Sequence, residues 1–323
     1  MISTPDGTPS SRRNARPVTL ALVLGGYALC VLVLVLFLVH REQARVPSGP
    51  SNLLTTRPGF PSPPAGAVVF SRHVGPNALA LALVPGESRM LAQASALGAD
   101  GAGISELSVT FAVHGLTTTA SPCGSGCYRA TLATKGPPRS VEVVIQGELS
   151  TRWRLGLPTA WPPPDASRMV ARAERVWRSL HSLSFTERLA SDEQHAVKST
   201  WQLQAPDRLA YHVEHGSEAV IIGNRRWDRT AAGRWRESSQ IPVTQPIPPW
   251  VSAANARVLG RIVGGGRSAW KVSFFDPQTP GWFTLVLDRR TFRTLELEMI
   301  TTAHFMHDVF SSFNATPAIE APR

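Results

Sequence analysis

The chain has 323 residues, of which 43% are hydrophobic and 17% charged, a composition that excludes a largely disordered protein and allows two folded domains. The net charge is +10, and only three of the 33 basic residues are lysines. Because the basic residues are dispersed, with no run of five and no recognisable nucleic-acid module, we expect a basic, solvated surface and no nucleic-acid partner.

Residues 18–39 form an uncharged, apolar run near the N-terminus. A helix needs about 20 apolar residues to cross a bilayer, whereas the apolar region of a cleaved signal is about 7–15 residues long and ends at small residues. This run ends at His40 and Arg41, so it predicts one transmembrane helix, which makes membrane lipids a partner. Arg12, Arg13 and Arg16 precede it and Arg41 and Arg45 follow it, so the charge bias nearly balances. The short polar N-terminal tail and the cysteine pair described below favour a cytoplasmic tail over residues 1–17 and an extracytoplasmic location for the rest of this single-pass chain.

The next segment, residues 40–66, is rich in Pro, Ser and Gly and predicts an extended linker. Residues 67–150 then alternate short apolar runs with turn residues. Strands are predicted at 78–83, 107–113, 128–132 and 141–145, while residues 88–97 fit a helix or a strand. This order predicts a small immunoglobulin-like (Ig-like) antiparallel β-sandwich.

A second Pro-rich linker is predicted over residues 151–164, followed by a domain over 165–314 and a tail over 315–323. Asp165 is suited to an N-cap, and an apolar helical stripe follows it, widened by Trp177 and formed by Met169, Ala173, Val176, Leu180 and Leu183. About nine alternating segments come next, at 185–190, 199–204, 208–213, 218–224, 234–238, 257–263, 269–275, 282–287 and 293–302. The fold class is therefore mainly β, with one helix packed on a strongly curved antiparallel sheet.

Such a helix-covered sheet can enclose a ligand cavity or a filled core. Most of the tryptophans fall in this domain and favour burial of large apolar areas. Val176, Trp177 and Leu180 are the residues expected to line an apolar-ligand cavity if one exists. The alternative is that the same side chains simply fill the core.

Cys123 and Cys127 bracket a Gly-Ser-Gly sequence just before a predicted strand. Paired cysteines outside the cytoplasm tend to oxidise, and the glycines permit the tight turn that a disulfide needs. We expect a disulfide. A dithiolate site for Cu(I), which prefers soft ligands, and a pair of free thiols are the alternatives.

His304, Met306 and His307 form a set of side chains that can ligate copper. Alternation along a strand places His304 and Met306 on one face and His307 on the other, so ordinary structural histidines are the alternative. No nucleophile, zinc, phosphate-loop or dinucleotide motif occurs in the sequence. We therefore expect no catalytic residues, no enzyme activity and no required cofactor, with copper the one candidate metal.

Two stretches resemble known families. Residues 75–147, with the sequence Pro-Cys-Gly-Ser-Gly-Cys-Tyr at 122–128, resemble the FixH/YtkA-type Ig-like domain that is appended to some bacterial copper-resistance proteins of the CopC/CopD type. Residues 161–314 resemble the region that follows it in actinobacterial members, in the segments 173–175, 187–191, 205–209, 222–228 and 303–308. The helix-then-strands order is also similar to the LolA/LppX half-barrel of lipoprotein carriers. The multi-span CopD-type core and a CopC copper site are both missing, so transport is not implied.

These patterns together predict a membrane-anchored extracytoplasmic binding or accessory protein without catalytic activity. The resemblance implies copper-handling membrane proteins as partners. One alternative is a carrier or sensor of a lipid or another apolar ligand in the second domain. Another is a purely structural or interaction subunit.

Overall fold

The computed structural model describes residues 62–231, 233–302 and 304–323. The predicted transmembrane helix at 18–39, the tail before it and most of the following linker lie outside these residues. Within the described ranges no helix is long and apolar enough to cross a membrane.

The described chain begins with nine β-strands that form two antiparallel sheets. They are β1 (Val68–Val74), β2 (Asn77–Val84), β3 (Arg89–Leu97), β4 (Ser108–Val113), β5 (Leu116–Thr119), β6 (Ser121–Gly124), β7 (Cys127–Ala133), β8 (Ser140–Gln146) and β9 (Thr151–Gly156). One sheet has the order β1-β2-β3-β7-β6 and the other β5-β4-β8-β9. Leu81 and Leu132 of the first sheet share a buried cluster with Phe111 and Val143 of the second. The two sheets therefore form a β-sandwich, and residues 89–97 are a strand.

Strand β9 extends this sandwich beyond the predicted boundary at residue 150. It pairs with β8, with Trp153 opposite Val143, and Trp153 packs against the sandwich core. Residues 151–156, expected to belong to a linker, are thus part of the sheet, because Trp153 and Leu155 supply apolar surface on its inner side. The connection to the following helix starts at Leu157.

The second part of the chain contains a helix and a large sheet. These elements are α1 (Ser167–Arg178), β10 (Ser182–Ala190), β11 (Ala196–Gln204), β12 (Arg208–Val213), β13 (Glu218–Ile222), β14 (Arg225–Arg229), β15 (Arg236–Ser239), β16 (Ala254–Gly264), β17 (Arg267–Asp276), β18 (Gly281–Asp288), β19 (Thr294–Thr301) and β20 (His304–Ser311). The sheet is antiparallel and has eleven strands in the order β15-β14-β13-β12-β11-β10-β20-β19-β18-β17-β16. Strand β20 returns to pair with β10, so the two halves of the sheet meet at that pair.

The sheet has two more strands than the nine segments predicted. Strand β14 has the sequence Arg-Arg-Trp-Asp-Arg, which has no apolar alternation, and it is held by pairing with β13 and β15. The predicted segment 293–302 continues after a turn into β20, which pairs back onto β19. No Gly or Pro marks that turn, so the sequence pattern does not separate the two strands.

The N-cap of helix α1 is Ala166 and not the predicted Asp165. The Asp165 carboxylate instead accepts hydrogen bonds just before the helix, from the backbone N–H and hydroxyl of Ser167 at 3.0 and 3.1 Å. The buried face of the helix consists of Val170, Ala173 and Trp177. The predicted stripe through Met169 and Val176 is therefore rotated, since those two side chains are only half-buried. The helix also ends at Arg178, so Leu180 and Leu183 reach the core from the connection and from β10.

The sandwich packs directly against the outer, convex face of the large sheet. The leucines of β2 point into the sandwich core, while Ala78, Ala80 and Ala82 pack with Phe275, Trp282 and Phe305 of the sheet. His73 stacks on Phe305 with ring centroids 4.5 Å apart, and the backbone N–H of Gly75 donates to Glu193 at 2.9 Å. Small alanine side chains let the two sheets approach closely, so the sandwich buttresses the sheet from outside.

Candidate ligand site on the concave face

Large side chains occupy the space between α1 and the concave face of the large sheet. Trp177 contacts Trp250 and Phe310 edge-on, with ring centroids 5.6 and 4.9 Å apart, and Phe274 stacks on Phe283 at 5.1 Å. These residues form the main core cluster. Of the three predicted cavity-lining residues, Trp177 and Leu180 are buried in this cluster, and Val176 is half-buried and does not belong to it.

Two hollows among the described residues lie elsewhere and are open to solvent. One, of about 320 Å³, lies over the convex face between β20 and β12, where Arg188, Lys198, His212 and His307 project. The other, of about 550 Å³, lies beside Trp235 at the β14–β15 edge. Under α1 the large side chains belong to the buried core cluster.

A row of four aromatic side chains crosses the concave face from β20 to β12. Phe310, Phe185, Trp201 and Tyr211 are direct register partners on successive strands, and we call them the aromatic ladder. Successive ring centroids are 5.2, 5.8 and 4.7 Å apart, and Phe185 lies parallel to Trp201. Offset or stacked rings at these distances attract one another beyond their burial. Trp177 of α1 contacts the Phe310 end, so the ladder leads away from the helix across the sheet.

Phe310, Trp201 and Tyr211 of the ladder are buried, and partial exposure on this face is limited to Phe185 and to side chains beside the ladder. Phe185 and Leu189 of β10, Val197 of β11 and Leu209 of β12 are half-buried, although each belongs to the apolar side of its strand. The partly exposed apolar area of this face therefore comes from these half-buried side chains and not from the buried rings of Phe310, Trp201 and Tyr211.

Directly beside the aromatic ladder lies a row of polar side chains, which we call the acidic row. Asp308 of β20, Glu187 of β10 and Ser199 of β11 are register partners across three strands. Glu187 accepts hydrogen bonds from the Ser199 hydroxyl at 2.7 Å and from the Trp201 indole N–H at 2.8 Å. Burial raises the pKa of the Glu187 carboxyl, and the two hydrogen bonds partly oppose that shift.

Asp308 is the most unusual member of the acidic row. The residue is only 3% exposed, and Oδ1 has no hydrogen-bond partner in the described part of the protein. Burial raises the pKa of Asp308 well above its usual range, and repulsion from Glu187 adds to the shift. None of the described ion pairs gives either carboxyl group of Asp308 and Glu187 a basic partner. It is therefore costly to ionise both carboxyl groups together in this apolar interior.

The far end of the aromatic ladder is also polar, but its charges are already paired. Arg226 of β14 contacts Asp228 with nitrogen–oxygen distances down to 2.7 Å and donates to the Tyr211 hydroxyl at 3.2 Å. Burial raises the pKa of Tyr211, so its hydroxyl is neutral at ordinary pH. This guanidinium is engaged locally and does not neutralise the acidic row.

The candidate copper ligands are not brought together. Met306 is buried in the core cluster, whereas His307 projects from the opposite face of β20 and lies 3.9 Å from Glu296. Burial lowers the pKa of His304, which keeps its ring neutral. In the ranges that the structure covers, no three His, Cys, Asp or Glu side chains form a group able to hold a metal ion.

Cys123 and Cys127 form the predicted disulfide, with their Cα atoms 5.0 Å apart. The bond closes the turn between β6 and β7 at the edge of the sandwich. Both cysteines are therefore structural, and their sulfur atoms are not thiolate ligands in this state.

The acidic row was not predicted from the sequence, although a signal for it exists. Phe185 and Leu189 fix the apolar face of β10, and Glu187 lies between them on that same face. A carboxylate within an apolar alternation marks a buried charged group that needs a partner. The pairing with Asp308 could not be read from the sequence, because it depends on which strand returns to β10.

No known protein family and no curated protein matches the chain. Among solved structures, the chain is similar to lipoprotein LppX of Mycobacterium tuberculosis, with 12% identity over 47% of this chain and 97% of LppX and a TM-score of 0.38. LprF of Mycobacterium bovis shows 12% identity over 52% of this chain and 99% of LprF, again with a TM-score of 0.38. MucB shows 16% identity over 51% of this chain and 64% of MucB, with a TM-score of 0.29. Values this low do not assign the chain to a family.

Proposed function

We propose that this chain is a non-catalytic extracytoplasmic binding protein, anchored by residues 18–39, whose half-barrel holds an apolar ligand on its concave face. The observation that carries the proposal is the aromatic ladder, which continues the apolar core past α1 onto strands where Phe185 and Leu209 are half-buried. Aromatic faces offer a large apolar contact area at a small cost in side-chain entropy. The ligand lies along the ladder and extends the core of the half-barrel.

The sandwich has a supporting role in this proposal. It packs on the convex face through Phe305 and Phe275, opposite the ligand side. A sheet supported from outside keeps its curvature while its concave face is occupied or empty. The linker and the membrane anchor keep both domains near the bilayer, where apolar ligands are concentrated.

The test is native mass spectrometry of the full-length protein, purified from its own membrane in detergent and released from the micelle in the spectrometer. We expect a bound apolar molecule that is retained when detergent is removed. Trp201→Ala should weaken the affinity for this molecule at least about fivefold and so lower the bound fraction, since stacking on one aromatic ring contributes about 1 kcal/mol or more. Trp235→Ala is the matched control, because Trp235 lies against Arg229 at the far edge of the sheet.

We also propose a copper-accessory role, which rests on the family resemblance of the sequence. Its test is an anaerobic Cu(I) titration of the full-length protein before and after disulfide reduction. Saturable binding that disappears in Cys123→Ser would support it. Failure of both this titration and the ligand search would leave a structural or interaction subunit as the function.

A further inference from the structure

We propose that the acidic row selects an apolar ligand carrying a cationic amine, with the ammonium group held between Asp308 and Glu187 and the apolar body along the aromatic ladder. This inference rests on the proposed function and specifies the chemistry of its ligand. It begins from the geometry of two carboxyl groups that face each other across β10 and β20 on the interior side of the sheet.

The groups around Asp308 leave it without a counter-charge. Its cross-strand neighbour on β19 is Leu297, and its neighbour on β10 is Glu187. On its own strand the adjacent residues of the same face are Met306 and Phe310, both in the apolar core. The Oδ1 atom is buried and accepts no hydrogen bond from any described residue.

The basic side chains that the structure describes around the sheet do not fill this gap. On the concave side Arg226 is bound to Asp228 and Tyr211, and Arg188 and Lys198 project from the opposite face of their strands. His304 lies on the same face of β20, four residues before Asp308, and the lowered pKa of its ring keeps it neutral. A protein with a net charge of +10 therefore keeps an acidic site without a basic partner inside an apolar surface.

An ammonium group fits the acceptors that remain. It has three N–H donors and no acceptor, and the site offers carboxyl oxygens of Asp308 and Glu187. Glu187 already accepts from Ser199 and Trp201, which fixes its orientation, whereas Asp308 Oδ1 is free to accept. An anionic head group would meet two carboxyl groups and be repelled, and a neutral alcohol would supply one donor without charge compensation.

The position of the site beside the ladder sets the shape of the ligand. Glu187 and Asp308 are the next pair on the same face of the sheet after Phe185 and Phe310. Residues two apart along one strand are separated by about 7 Å. A head group bound in the acidic row therefore places an attached apolar chain directly on the aromatic rings.

The test compares three probes with the same eight-carbon chain, octylamine, octanol and octanoate, titrated into the full-length protein in one detergent at pH 7. Binding is measured by the change in the fluorescence of Trp201. The Trp201→Phe variant reports only the other tryptophans, and its signal is subtracted. We expect octylamine to bind about tenfold to hundredfold more tightly than octanol, as charge-assisted hydrogen bonds in an apolar site do, and octanoate to bind most weakly.

Two variants separate the acidic row from general charge. Asp308→Asn keeps the size of the side chain and should reduce octylamine affinity about tenfold or more while leaving octanol affinity unchanged. Glu298→Gln is the control, because Glu298 is exposed on the neighbouring strand β19 and projects from the convex face. It should leave all three affinities unchanged. Circular dichroism establishes that each variant is folded.

The outcomes also distinguish this inference from the proposed function. Equal affinities for octylamine and octanol, with no effect of Asp308→Asn, would overturn the amine assignment and leave apolar binding intact. If none of the three probes binds and the purified protein holds no apolar ligand, both proposals fail. An equal loss of octylamine affinity in Asp308→Asn and Glu298→Gln would also overturn the amine assignment, because it would show that the effect is only general electrostatics.

Discussion

Replacing Asp308 by Asn should stabilise the protein at neutral pH and leave it nearly unchanged at low pH. An aspartate in an unfolded chain titrates near pH 3.9, whereas burial and Glu187 raise the pKa of folded Asp308 well above its usual range. Between those two pKa values the folded state binds more protons than the unfolded state, so the free energy of unfolding falls as the pH rises. The stability contribution is fully present below the unfolded pKa and is lost towards the folded pKa.

The magnitude follows from the environment of the carboxyl group. Its Oδ1 is buried without a donor, and an unsatisfied buried polar group costs about 1–3 kcal/mol. The amide introduced by Asp308→Asn supplies N–H donors towards Glu187 and carries no charge. We therefore expect this substitution to raise the free energy of unfolding by about 1–3 kcal/mol at pH 7.5 and by less than about 0.5 kcal/mol at pH 4.

The assay is urea unfolding of the full-length protein in one detergent at half-unit steps from pH 4 to pH 8. Wild type, Asp308→Asn and the exposed control Glu298→Gln are measured side by side. The two curves for wild type and Asp308→Asn should diverge as the pH rises, while Glu298→Gln follows wild type. A pH-independent difference, or a destabilised Asp308→Asn at pH 7.5, would refute the reasoning, because it would mean that the carboxylate is satisfied in the folded state.

Three further changes test the packing. Trp177→Ala should lower the free energy of unfolding by about 3–5 kcal/mol and Val176→Ala by less than about 1 kcal/mol, because only Trp177 is buried. Urea unfolding measures both variants, and equal losses would contradict the orientation of the helix. Phe305→Ala should cost about 3–4 kcal/mol and increase proteolysis between the sandwich and the large sheet, since it removes the ring stacked on His73. An unchanged cleavage pattern would count against this contact holding the sandwich on the sheet. Cys123→Ser should cost about 2 kcal/mol or less in thermal unfolding, given the short loop, and wild type should show no free thiol at this pair before reduction.

Much of the strand pattern was predictable because alternation is a local property. The run Ala-Leu-Ala-Leu-Ala-Leu over 78–83 predicted β2, and its leucines do point into the sandwich core. The same run also forms the interface between the sandwich and the large sheet, because the alanines of its opposite face pack on that sheet. That second surface was missed because alternation alone does not distinguish a small side chain facing solvent from one facing another sheet.

The strands that escaped prediction depend on their neighbours. Strand β14 contains three arginines in five residues and is stabilised across the sheet, where Arg225 bonds Glu237 of β15 at 2.8 and 2.9 Å. Strand β20 was merged with β19 because alternation continues through the turn between them. Its position beside β10, the contact that creates the acidic row, joins residues far apart in the chain, as at Glu187 and Asp308.

The candidate site shows the same division between local and long-range information. The burial of Trp177 and Leu180 could be expected from helical spacing, and so could a core rich in aromatic side chains. The aromatic ladder requires the register of four strands, which side-chain periodicity does not determine. Because Trp177 and Leu180 are buried in the core cluster, we propose the ligand surface at Phe185, Trp201 and Tyr211 and not at the predicted helix residues.

The most direct measurement of the central claim is native mass spectrometry of full-length wild type and Trp201→Ala, purified identically from their own membrane. We expect an apolar molecule bound to wild type in a defined ratio and largely lost from Trp201→Ala, with Trp235→Ala behaving as wild type. A wild-type protein that is consistently free of ligand, or a bound molecule retained equally in Trp201→Ala, would contradict binding along the aromatic ladder.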